Sequence, residues 1–173
     1  MKKIIVSDAS PLIALAKLDL LELLFVSFTE VHLPQAVYSE ATHDRYREDS
    51  KLIHHFIHNS HQQNQAIVVH KVVHKDRDNK AYTEYRNILD EGESQALVLA
   101  DDLGCGLLID ERLGRKIARL HDIPVVGVMG VLLQAKSKGK IHAIQPLIEQ
   151  LLENNYRLSE RVIELVLRKA KEL

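Results

Sequence analysis

The chain has 173 residues, enough for one domain, and its hydrophobic fraction of 46% supports a real core. With 23 Lys plus Arg against 24 Asp plus Glu it is no polycation, so a hold on nucleic acid has to come from a local basic patch or a bound metal. A lone cysteine, Cys105, rules out an internal disulfide, the chain opens with no signal-peptide layout, and no apolar run approaches the roughly 20 residues that span a bilayer. The expectation is a cytoplasmic protein with no membrane partner.

The elements follow in order. Residues 4–6 (Ile-Ile-Val) are β-branched and predict a buried strand ending at Asp8. Ser10 is a good N-cap and Pro11 suits a first helical position, so one or two short helices are expected through Leu24. Residues 31–33 predict a second strand, and Pro34 the start of a helix with Val37 and Ala41 inward and Glu40 nearby. The polar stretch 43–66 carries a thin apolar stripe (Leu52, Ile53, Phe56, Ile57) that predicts an amphipathic helix ending near Asn59 or Ser60. A third strand is expected over 66–73, then a polar loop or helix start at 75–80. The segment Leu89-Asp90-Glu91-Gly92-Glu93 leads into an apolar helix closed near Gly104. Strand four is expected at 107–109, a helix at 112–121, strand five at 124–128 and a helix at 130–138. Two further helices are expected at 144–153 and 159–172, the second capped by Ser159. Strands alternating with helices predict an α/β domain with a mostly parallel five-stranded sheet covered on both faces.

Four acids stand at the edges of these segments: Asp8, Glu40, Glu93 and Asp110. Each alone reads equally well as a cap. Together they share the sheet edge where open α/β folds place their sites. Converging carboxylates repel one another unless a cation sits among them, and hard divalent ions take oxygen ligands. Phosphodiester hydrolysis needs an activated water and charge stabilisation, which one or two such ions supply. Asp8 and Asp110 have short side chains suited to direct coordination; Glu40 and Glu93 reach from helices. Ser10, two residues on, can orient the Asp8 carboxylate or a water.

At these residues the chain resembles the PIN domain family of metal-dependent ribonucleases, which includes VapC-type toxins. The resemblance lies in Val6-Ser7-Asp8-Ala9-Ser10-Pro11-Leu12-Ile13, Leu33-Pro34-Gln35-Ala36-Val37-Tyr38-Ser39-Glu40, Asp90-Glu91-Gly92-Glu93-Ser94-Gln95-Ala96 and Leu108-Ile109-Asp110-Glu111-Arg112. It extends to Val126-Gly127-Val128-Met129-Gly130-Val131-Leu132-Leu133 and spans roughly residues 2 to 140. It implies a three-layer α/β/α fold, Mg²⁺ or Mn²⁺ held by Asp8, Glu40, Glu93 and Asp110, and cleavage of single-stranded RNA. Ser10 takes the family's small hydroxyl position, and either Asp110 or Glu111 supplies the nearer carboxylate.

Arg112, Arg115, Lys116 and Arg119 line one side of the helix after Asp110 and reach for RNA phosphates or simply face solvent. Lys136, Lys138 and Lys140 form a weaker basic group. His54, His58 and His61 share a helix face, read as a solvent-facing or interface surface ahead of a metal site. The functional expectation is a Mg²⁺- or Mn²⁺-dependent endoribonuclease, as the toxin of a toxin–antitoxin pair, with an antitoxin protein and a second copy as partners. The alternative is a PIN-fold binding or regulatory protein acting through a partner. The whole chain, 1–173, is expected to form one domain, with the C-terminal helices from about residue 144 packing on it or at an interface.

Overall fold

The computed structural model describes residues 2–60, 65–71 and 84–173. Five parallel strands form one sheet: β1 (Ile4–Ser7), β2 (Glu30–Pro34), β3 (Ala66–His70), β4 (Gly106–Leu108) and β5 (Val125–Val126). Their order is β3-β2-β1-β4-β5, with Val6 opposite both His32 and Leu107. The chain winds outward from β1 through β2 to β3, then crosses back to place β4 on the other side of β1. That reversal opens a crevice beyond the C-terminal ends of β1 and β4, the position from which Asp8 and Asp110 project.

The helices are α1 (Ala9–Lys17), α2 (Gln35–Thr42), α3 (Glu48–Asn59), α4 (Glu91–Asp102), α5 (Arg112–Leu120), α6 (Val128–Ser137), α7 (Gln145–Glu153) and α8 (Glu160–Ala170). They flank the sheet as a three-layer α/β/α fold. The core is built of Val6, Leu15, Leu33, Leu97, Leu107 and Leu108, all fully buried, with Ile53 of the amphipathic α3 inserted beneath α1. Helix α4 lies against β1, β2 and β4 and buries Ala96, Leu97 and Ala100 on that side.

The structure moves several boundaries. Helix α1 begins at Ala9 with Asp8 as its N-cap residue, so Ser10 is the second helical position and is exposed, rather than the cap. Pro11 still fits, because the first-turn N–H groups lack intrahelical partners. After Lys17 the chain turns through Asp19 at φ 56° and continues as a 3₁₀ segment, Leu21–Val26, instead of a second α-helix. Pro34 closes β2 and caps α2 from outside it. Strand β5 stops at Val126 and α6 starts at Val128, two residues before the expected Gly130, because the Asp110 carboxylate accepts the Val128 N–H at 3.1 Å. Residues 72 and 73 of the expected third strand, the loop at 75–80 and His61 lie outside the described residues.

A chain of polar contacts crosses one edge of the sheet. His32 Nδ1 lies 2.7 Å from His70 Nε2, and His32 Nε2 lies 3.1 Å from Glu30, which pairs with Lys2 at 2.5 Å. Burial, and then the neighbouring His32, holds His70 below its ordinary range.

The C-terminal helices fold back on their own domain: Ile148, Leu151, Val166 and Leu167 are buried, and α8 packs on α6. Ser159 caps α8 as expected, accepting the Val162 N–H. Glu172 ties these helices together. Its carboxylate meets Lys136 Nζ at 2.6 Å and accepts the N–H groups of Ile144 and Gln145 at 2.7 and 2.8 Å, where α7 begins. Burial opposes this charge, but Lys136 and the two N–H groups outweigh it and hold the carboxyl below its usual range. Glu172→Ala leaves one ammonium and two N–H groups without their acceptor and is expected to destabilise the protein by about 1–3 kcal/mol in urea unfolding.

Candidate metal centre

Asp8 occupies the turn between β1 and α1, pinned by its own N–H to the Leu108 carbonyl at 2.9 Å. Its side chain is 3% exposed and makes no capping bond to its helix. Burial pushes its carboxyl up to about 7, the charges of Glu93, Glu40 and Asp90 push the same way, and the Ala9 N–H resists.

Glu93 is delivered by a capping box. Asp90 caps α4, accepting the Glu93 N–H at 2.8 Å, while Glu93 reaches back to the Asp90 N–H at 3.3 Å. This folds the Glu93 carboxylate over the first turn, buried and facing the crevice. Burial, then the charges of Asp90, Glu111 and Glu40, raises it to about 7. Glu40 arrives from α2. A Cβ on Gly92 would stand 3.0 Å from Glu40 Oε2 and 3.5 Å from Asp90 Oδ1, so glycine at 92 lets the two helices bring these carboxylates side by side. Desolvation and then Asp90 raise Glu40, with His43 opposing.

Asp110 is placed differently. Its charge neighbours are Tyr156, the Val128 N–H and Arg115, not the other acids. Burial raises its carboxyl, and those three partners pull it down. Arg115 also donates to the Ile109 carbonyl at 2.7 Å. A Cβ on Gly127 would stand only 2.4 Å from Asp110 Oδ1, so this junction requires glycine. Glu111 is the residue of the pair that faces Glu93, while one of its oxygens caps α5 through the Gly114 N–H at 2.7 Å.

The structure therefore brings together Asp8, Glu40, Glu93 and two acids without a leading place in the sequence reading, Asp90 and Glu111. Among the described residues no three His, Cys, Asp or Glu side chains are already drawn in as a cage. The donor set nevertheless fits a hard divalent ion: oxygen ligands only, two of them buried, repelling one another and held near 7 for want of an opposite charge. Arg112, Lys116 and Arg119 are exposed on α5 beside this edge, whereas Arg115 is turned inward to Asp110. Of the histidines, His54 and His58 stack at 4.3 Å in the open, and His58 meets the Tyr38 hydroxyl at 3.4 Å. Lys136 and Lys138 are both tied internally, to Glu172 and to the Val26 carbonyl.

The family model described as a PIN domain matches residues 4–172. The chain belongs to the PIN domain family. None of the curated proteins matches it. PIN domains are generally nucleases and typically use divalent metal ions, and the match extends the family's span through α8 to include Tyr156. Asp90 was legible as the first residue of a D-x-x-E capping box; Tyr156, in the loop before α8, carried no signal. No described helix of this PIN domain is long and apolar enough to cross a membrane.

The raised carboxyls have a consequence for stability. A carboxyl lifted in the folded state favours folding while protonated; that contribution is fully present below the unfolded value near 4 and is lost as pH rises through about 7. Asp8→Asn removes the penalty. In metal-free buffer its thermal midpoint is expected to exceed the parent's at pH 8, by an equivalent of about 2 kcal/mol, with the gap shrinking toward pH 5. Gly127→Ala, by contrast, is expected to cost about 1–3 kcal/mol in urea unfolding by driving Asp110 from the start of α6.

Proposed function

We propose that this PIN domain is a divalent-metal-dependent endoribonuclease that cuts single-stranded RNA. One observation carries the reading: Asp8 and Glu93 are buried carboxylates facing each other's charge at the crevice between β1 and β4, with Glu40, Asp90 and Glu111 around them. Asp8, Glu93 and Glu40 would hold Mg²⁺ or Mn²⁺, with Glu111 completing the set and Asp110 bracing the far wall. When bound, such an ion supplies charge stabilisation at the phosphorus oxygens and lowers the pKa of a water.

The chain's own residues do the rest. Asp90 orients Glu93 through the capping box, leaving the other Glu93 oxygen to accept a proton from an attacking water. Arg112, Lys116 and Arg119 present cations along α5 to the strand's phosphates. Water adds to phosphorus and one ester oxygen departs with a proton. Ser10, exposed one turn from Asp8, orients water at the entrance.

The finer reading, a toxin restrained by an antitoxin and working as a homodimer, rests on the resemblance to VapC-type toxins. Leu152, Val162 and Leu165 leave apolar surface on α7 and α8 for either contact, and the same surface supports a regulatory protein acting through a partner.

Cleavage of a panel of labelled single-stranded RNAs tests the central reading. Activity is expected with Mn²⁺ or Mg²⁺, to vanish on chelation, and to fall on the order of 100-fold or more in Asp8→Asn and Glu93→Gln. Cleavage that survives chelator, or is undiminished in both variants, contradicts it.

A further inference from the structure

Beside the acidic centre, between α2 and α4, lies a recess of about 670 Å³ walled in part by Gln35, Ser39, Glu40, Lys71, Glu91 and Gln95. Gln95 is 5% exposed. Its Nε2 donates to Glu91 Oε1 at 3.2 Å, and its Oε1 is buried with no hydrogen-bond partner. A buried amide oxygen left without a donor is costly and is characteristic of a group awaiting a ligand.

The remaining walls narrow the chemistry. Gln35 Nε2 donates to the Ser39 hydroxyl at 3.3 Å, so that amide is already engaged. Glu40, Glu91 and the Gln95 oxygen are acceptors, two of them anionic. Such a lining repels a phosphate and suits an uncharged group rich in N–H donors. Lys71 stands at the end of β3, on the rim, where a cation can meet a phosphate outside.

We infer that this recess takes a nucleobase of the RNA strand next to the scissile phosphate, and that Gln95 selects bases carrying an exocyclic amine, adenine and cytosine, over uracil. The inference rests on the ribonuclease reading, because Glu40 belongs to both the recess and the acidic centre. Gln pairs with the N6 edge of adenine, and a carboxylate accepts from N4 of cytosine; uracil offers a carbonyl at that position.

Fluorescence anisotropy tests this with ten-nucleotide oligo(A), oligo(C) and oligo(U) in Mn²⁺, using Asp8→Asn so that the strands persist. Oligo(A) and oligo(C) are expected to bind at least about five-fold more tightly than oligo(U). Adding Gln95→Leu is expected to erase that ratio while leaving the oligo(U) affinity unchanged. A thermal midpoint no lower than that of Asp8→Asn alone shows that the leucine fits, and Gln95→Met serves as a second variant if it does not. An unchanged ratio in the Gln95 variants, or no ratio to begin with, overturns the inference and leaves the ribonuclease reading standing. A recess that captures an arginine-rich decapeptide in a Gln95-dependent way, with no ratio among the oligomers, overturns it in favour of a protein ligand. Failure to bind any oligomer overturns both.

Discussion

Like charges buried at one sheet edge govern this molecule. A carboxylate taken out of water loses solvation worth several kcal/mol unless an opposite charge replaces it. Asp8 is withdrawn from solvent at the end of β1, and Glu93, Glu40 and Asp90 act on it with the same sign. A fold that keeps such a group without a cation from its own side chains is arranged for a cation from outside. The parallel order β3-β2-β1-β4-β5 makes this feasible by leaving a crevice where the winding reverses.

The surrounding architecture holds the acids in place by caps and close approaches. The Asp90–Glu93 box fixes one carboxylate on the first turn of α4, and the absence of a side chain at Gly92 admits another from α2. Across the crevice, Asp110 serves as the acceptor at the start of α6 and is held by Tyr156 and Arg115. Through Tyr156 the segment between α7 and α8 reaches the far wall of the site, and through Glu172 the end of α8 grips α6 and α7. The C-terminal helices are thus part of the frame of the crevice.

Much of this was legible in the sequence, for local reasons. Short β-branched runs announced β1 and β2, the capping segment announced α4, and an acid at each strand end or helix start pointed to the crevice. What could not be read was side-chain direction. Asp110 and Glu111 are adjacent, and only the packing of α6 and Tyr156 decides that the first turns away and the second faces Glu93. Arg115 shares a helix with three exposed cations yet is drawn inward by the Ile109 carbonyl. Ser10 gave up the cap because the backbone at Asp8 is already extended, at φ −77° and ψ 168°, and the helix starts directly after it. The His32–His70 contact joins neighbouring strands, a pairing set by sheet register rather than by any local pattern.

Calorimetric titration of Mn²⁺ into the metal-free parent and into the Asp8→Asn, Glu93→Gln double variant tests the acidic centre most directly. The account predicts saturable binding to the parent and its loss in the double variant, with both proteins folded. A folded parent that takes up no Mn²⁺, or a double variant that binds it equally well, would contradict the claim that these carboxylates form a metal site.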